Sequence, residues 1–119
     1  MKETKNELLV VIANHGYTEL VMDAAHGAKA MGGTVVRAKG LGAEYAKKFL
    51  GFTISEEKEM ILIVSPAKDR SNIMKAIMEH AGLESKARSI VFSLPVSSVA
   101  GLRKLEDDDD ASVDLDMTE

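Results

Sequence analysis

Leu8-Leu9-Val10-Val11-Ile12-Ala13 is an unbroken apolar run closed by Asn14-His15-Gly16, and Met60-Ile61-Leu62-Ile63-Val64 is a second one closed by Ser65-Pro66. Runs this short, rich in branched side chains and bounded by turn residues, read as buried strands. After each run the apolar spacing lengthens to three or four residues. Tyr17, Leu20, Val21, Ala24, Ala28 and Met31 mark one amphipathic helix, with Gly32-Gly33 as its stop, and Ile73, Met74, Ile77, Met78 and Ala81 mark another, stopped by Gly82. Thr34–Lys39 follows the first helix as a strand, and Ser89–Leu94 follows the second, ended by Pro95. Gly40 to about Lys58 is a long connection between the halves. Strand, helix, strand twice over predicts an α+β, ferredoxin-like βαββαβ fold, with one antiparallel sheet carrying both helices on one face.

A strand that serves such a fold only as a monomer alternates apolar with polar residues. The two central strands, 8–13 and 60–64, are apolar at every position. The sheet therefore presents hydrocarbon on the side away from the helices, a larger patch than soluble monomers leave open. Covering it by a second copy predicts a homo-oligomer packed sheet to sheet; the competing expectation is that the C-terminal tail or the long connection folds over it.

The 119 residues suffice for one core, and 45% apolar with 29% charged residues at a mean hydropathy of -0.05 is the composition of a soluble globular chain. The absence of cysteine excludes disulfides, thiolate metal sites and a thiol nucleophile. The first apolar run is too short for a membrane span or a signal-peptide core, so a cytoplasmic protein is expected. Of nineteen acidic residues eight fall in 106–119, leaving eleven against fifteen Lys and Arg in a mildly basic body, residues 1–105. Residues 106–119, with the Asp107–Asp110 run, read as a solvated acidic tail. A basic body suits an anionic ligand.

Most catalytic and metal patterns fail. Gly27 to Thr34 has P-loop spacing but glycine in place of the lysine, and it lies where a helix ends. Asp23 and His26 share a helical turn without a third ligand, so no metal site is assigned. His80, near the end of the second helix, complements the helix dipole. The Glu56-Glu57 pair lies in the charged connection and no serine is spaced for a triad, so catalysis is not indicated. The central strands carry no aromatic residue on which bases would stack, and only Phe92 lies in an expected strand, which excludes single-stranded nucleic acid. Gly40-Leu41-Gly42 is a flexible turn where backbone amides can approach an anion. Ala43–Leu50 is expected to form a helical turn supported by Glu44 and Lys48.

Three stretches resemble the PII signal-transduction family. Gly33-Thr-Val-Val-Arg-Ala-Lys-Gly-Leu-Gly42 is similar to its second strand and the Lys-Gly-Phe-Gly opening of its T-loop. Lys58-Glu-Met-Ile-Leu-Ile-Val64 resembles its third strand, and Ile90-Val-Phe-Ser-Leu-Pro-Val-Ser-Ser-Val99 its Leu-Pro-Val ending. The resemblance runs from about Glu7 to Arg103. It implies a non-enzymatic trimer that binds an adenine nucleotide between subunits and addresses a membrane transporter or enzyme through the loop 40–58.

Carried over by position, Thr34 would contact the nucleotide, Gly40, Leu41 and Gly42 would line the loop entrance, Lys58 would line the same cleft, and Arg103 would reach phosphate from a neighbouring subunit. Glu44, Tyr45, Lys48 and Phe49 would meet the partner, although Tyr45 lacks the context of a modifiable tyrosine. The family's Gly-Asp-Gly-Lys phosphate turn is Ala87-Arg88-Ser89-Ile90 here, so Arg88, or Lys86, is the substitute cation; Gly101 replaces one of two C-terminal arginines, and Ala43-Glu44 stand where a glutamine would follow Gly42. The implied ligand is AMP, ADP, ATP, a cyclic dinucleotide or a similar anion, with no resident cofactor. Two alternatives share the architecture: a CutA-like metal-binding trimer and an ACT-type amino-acid-binding module.

Overall fold

The strands extend further than their apolar cores because the backbone ladder continues where side chains turn polar. The computed structural model describes residues 5–41, 48–49, 52–53 and 55–102, and places β1 at Asn6–Asn14, α1 at Thr18–Gly27, β2 at Thr34–Gly40, β3 at Lys48–Phe49, β4 at Phe52–Thr53, β5 at Glu56–Pro66, α2 at Ala67–Ala81 and β6 at Ile90–Val96. The main sheet has the order β2-β5-β1-β6, all neighbours antiparallel. The two apolar runs are thus the central strands, and the α+β ferredoxin-like βαββαβ fold is the one expected. Among the described residues no helix is long and apolar enough to cross a membrane.

Register divides the residues between the two faces. Leu9 opposite Ile63, and Val11 opposite Ile61, point towards the helices and are fully buried with Val21, Ala25, Ile73, Ile77 and Ala81. Leu8, Val10 and Ile12, opposite Val64, Leu62 and Met60, point the other way, where β6 adds Ile90, Phe92 and Leu94 at 56%, 43% and 44% exposure. Two helical positions differ from expectation. Leu20 and Met78 lie on the outer sides of their helices, because the buried stripes run through Val21–Ala25 and Ile73–Ile77–Ala81 at the 3.6-residue period.

The first helix ends at Gly27, short of Met31 and of Gly32-Gly33. Lys29, at φ 85°, takes the left-handed position usually given to glycine. Its amide donates to the His26 carbonyl and the Ala30 amide to the Ala25 carbonyl, each at 3.0 Å, which is the Schellman closure, with Ala25 and Ala30 both buried behind it. Gly82 does end α2, since a Cβ there would sit 2.4 Å from the Met78 carbonyl oxygen. Pro95 does not cut β6 short: β6 is an edge strand, where a missing N–H is tolerated.

The connection also departs from expectation. Glu56 and Glu57 belong to β5, paired with Gly40 and Lys39 of β2, not to a loop. Lys48–Phe49 pairs antiparallel with Phe52–Thr53, which puts Lys48, Phe49 and Phe52 in strands and not in the expected helical turn, the rest of which, 43–47 and 50, lies outside the described residues.

Candidate functional site

Three expected ligand residues converge at one end of the sheet. β1 ends at Asn14, opposite Lys58 near the start of β5, while β2 ends at Gly40, opposite Glu56. The period of two puts Asn14, Lys58 and Gly40 on the open side of the sheet, the side away from the helices. Gly40 gives this side chain room, because a Cβ would sit 3.0 Å from Cγ and Cε of Lys58 and the stem would have to shift. The Lys58 ammonium donates to Asn14 Oδ1 at 2.7 Å and meets Glu56 Oε2 at 3.1 Å.

Asn14 fixes a third element. Its backbone amide donates to the Ala87 carbonyl and its Nδ2 to the Lys86 carbonyl, both at 2.9 Å. The turn at 86–88 is thereby tied to Lys58 through one side chain. Within it Arg88 has φ 46°, a left-handed conformation uncommon outside glycine and asparagine. Among the described residues neither Lys86 nor Arg88 is in an ion pair, and both are exposed.

The remaining expected residues fall elsewhere. Thr34 opens β2 opposite Leu62, on the same open face but six residues from Gly40, roughly 20 Å at about 3.3 Å per residue. Leu41 is exposed just beyond β2. Gly42, Glu44, Tyr45 and Arg103 lie outside the described residues, as does the 106–119 tail, and Lys48 and Phe49 form β3.

Beside Lys58 in β5, on the helix-facing side of the sheet, lies a group that the sequence reading missed. Glu59 is 9% exposed, and its carboxylate accepts from the Thr18 hydroxyl, from the Gly16 amide at 3.4 Å, and meets His15 Nδ1 at 2.9 Å. The Thr18 hydrogen bond holds its pKa below the ordinary 4.5; burial pushes the other way, and the Gly16 amide and His15 add to the lowering. α1 has no side-chain cap of its own, so this carboxylate from β5 supplies the negative charge that a helix N-terminus favours. The signal was available: Glu59 shares its face with Ile61 and Ile63, and starting the strand at Met60 hid it. Thr18 donates to Glu59, not to His15, so the trio is not a nucleophile chain. Among the described residues no cluster of three His, Asp or Glu could hold a metal.

The arrangement places the Lys58 ammonium, shared between Asn14 and Glu56, on the open face beside the connection's two roots. Comparisons with known proteins bear on the fold and the family. The solved structure of Arabidopsis thaliana PII bound to citrate matches with a TM-score of 0.62 at 22% identity, over 82% of each chain. B. subtilis GlnK in complex with ATP matches with a TM-score of 0.66 at 12% identity, over 82% of this chain and 89% of that one. These likenesses show the fold. A search of curated proteins found no match. The family model described as nitrogen regulatory protein P-II matches residues 6–106, most of the sequence, and this chain therefore belongs to the P-II family of signalling proteins.

Proposed function

We propose that this protein is a homotrimeric cytoplasmic sensor that binds an adenine nucleotide, or a similar small anion, in the clefts between subunits and signals through the connection 40–58 to a membrane transporter or enzyme. P-II proteins are non-enzymatic regulators, and membership of that family sets aside the CutA-like and ACT-type alternatives. The observation that carries the reading is the convergence of Gly40, Lys58 and the Arg88 turn at the connection's root. The open face supports the assembly: Val36, Ile90, Phe92 and Leu94 are each 38% exposed or more beside half-buried Leu62 and Val64, and a partner sheet would cover them. Because Lys58, Gly40 and Thr34 share that face, sheet packing would set them at a subunit seam, where Arg103 of a neighbour would add a further cation.

Two similar structures are complexes with anions, citrate in one and ATP in the other, which supports an anionic ligand here. A ligand alters the connection only if it prefers one of its conformations. Calorimetric titration of the full-length protein with AMP, ADP, ATP and a cyclic dinucleotide tests the assignment. Saturable binding of at least one, weakened by Lys58→Gln and Arg88→Gln, is expected; no heat with any of them contradicts it.

A further inference from the structure

Lys58 does not wait with a free charge. Its side chain folds back along β5 to Glu56, two residues earlier on the same face, and the ammonium is shared between Glu56 Oε2 at 3.1 Å and Asn14 Oδ1 at 2.7 Å. Gly40 from the adjacent strand leaves room for this folded-back rotamer, since any side chain there would press on the Lys58 stem. Three separate strand ends are thus shaped around a lysine paired with an acid.

The pair contributes little to folding. The Glu56 side chain is 61% exposed against 22% for Lys58, and ion pairs so open to water are among the weakest in proteins. A weak pair at a covered lysine is displaceable. Glu56 is also the first residue of β5 and lies opposite Gly40, the last of β2, so the connection leaves and rejoins the sheet at these two positions.

Resting on the anion-site reading above, we propose that Glu56 is an internal competitor for the anion: its carboxylate occupies Lys58 in the free protein, a bound anion takes its place, and the displaced residue is the root of the signalling connection. Glu56 remains nearby after displacement and repels the ligand in proportion to its charge, so it also biases the site towards lightly charged ligands such as a nucleoside monophosphate and against a triphosphate. Arg88 and Lys86, which make no ion pair among the described residues, supply the charge that compensates a single phosphate.

The test is calorimetry at fixed low ionic strength with AMP and ATP, on wild type, Glu56→Gln, Lys58→Gln and the double variant. Glu56→Gln keeps an acceptor for Lys58 and removes only the charge. It is expected to tighten ATP by about two- to fivefold and AMP by less, and this gain is expected to shrink in the Lys58→Gln background. An unchanged ATP-to-AMP preference in Glu56→Gln, or an equal gain with and without Lys58, overturns the competition. The link to the connection is read from tryptic cleavage after Lys47 and Lys48: saturating AMP changes its rate in wild type and not in Glu56→Ala, which has no side-chain acceptor to displace, and equal changes in both overturn that link. Silence of every variant towards every nucleotide overturns the nucleotide reading itself, an outcome distinct from a nucleotide that binds without regard to Glu56.

Discussion

Phe92 lies midway along the edge strand β6 on the open sheet face, opposite Val10, and is 43% exposed in the single subunit. A phenylalanine buries about 150–250 Å², so roughly 65–110 Å² of this ring awaits a partner. At about 25 cal/mol per Å² that is about 2 kcal/mol per copy and about 6 kcal/mol per trimer, close to four powers of ten in the overall association constant. Phe92→Glu adds the desolvation of a carboxylate to that loss, while the isolated subunit, in which the position already meets water, is little affected. Sedimentation across the micromolar range is expected to give trimers for wild type and single subunits for Phe92→Glu, with circular dichroism unchanged. Leu83→Glu is the control, since Leu83 is 65% exposed just beyond α2 and in no strand, and it should leave the mass alone. A wild type that sediments as one subunit, or a Phe92→Glu protein of unchanged mass, refutes the reasoning.

Three further substitutions probe the frame that holds the site. Lys29→Gly relieves roughly 1–2 kcal/mol of left-handed strain against about 0.5–1 kcal/mol of added chain entropy, and is expected to raise Tm by a few degrees; a fall in Tm contradicts the Schellman assignment. Gly82→Ala drives a methyl to 2.4 Å from the Met78 carbonyl, and should cost about 1–3 kcal/mol in chemical denaturation. Glu59→Gln should cost about 1–3 kcal/mol at neutral pH by weakening the tie between β5 and the start of α1. A carboxyl with a lowered folded-state pKa stabilises above its unfolded value and loses that contribution as pH falls through the lower one. Melting curves from pH 7 down to pH 3 should therefore show wild type losing more stability than Glu59→Gln, and parallel losses would deny the lowered pKa.

The elements whose apolar spacing was unmixed were legible: the central strands from Leu8–Ala13 and Met60–Val64, and α2 from Ile73, Ile77 and Ala81. Positions where one rule overrode another were not. Lys29 closes a helix in a place where glycine is the usual signal, so the eye passes on to Gly32-Gly33. Pro95 reads as a strand stop, yet edge pairing accommodates it. Glu56 and Glu57 look like loop because charge was weighed and the backbone ladder cannot be seen in a sequence. The site was half legible. Gly40 stood out by chemistry and Lys58 and Arg88 by likeness to a family, whereas Asn14, which ties the end of β1 to Lys58 and to the turn at 86–87, carries no signal until the strands are in register.

The central claim is that the ligand site exists only where subunits meet. Calorimetry of ATP and AMP against wild type and against folded, monomeric Phe92→Glu tests this most directly, because Phe92 lies on the sheet face and away from the Lys58 cluster. The account predicts saturable binding by the assembled protein and none by the lone subunit. Equal affinity in the two would contradict it, by putting the whole site within one chain.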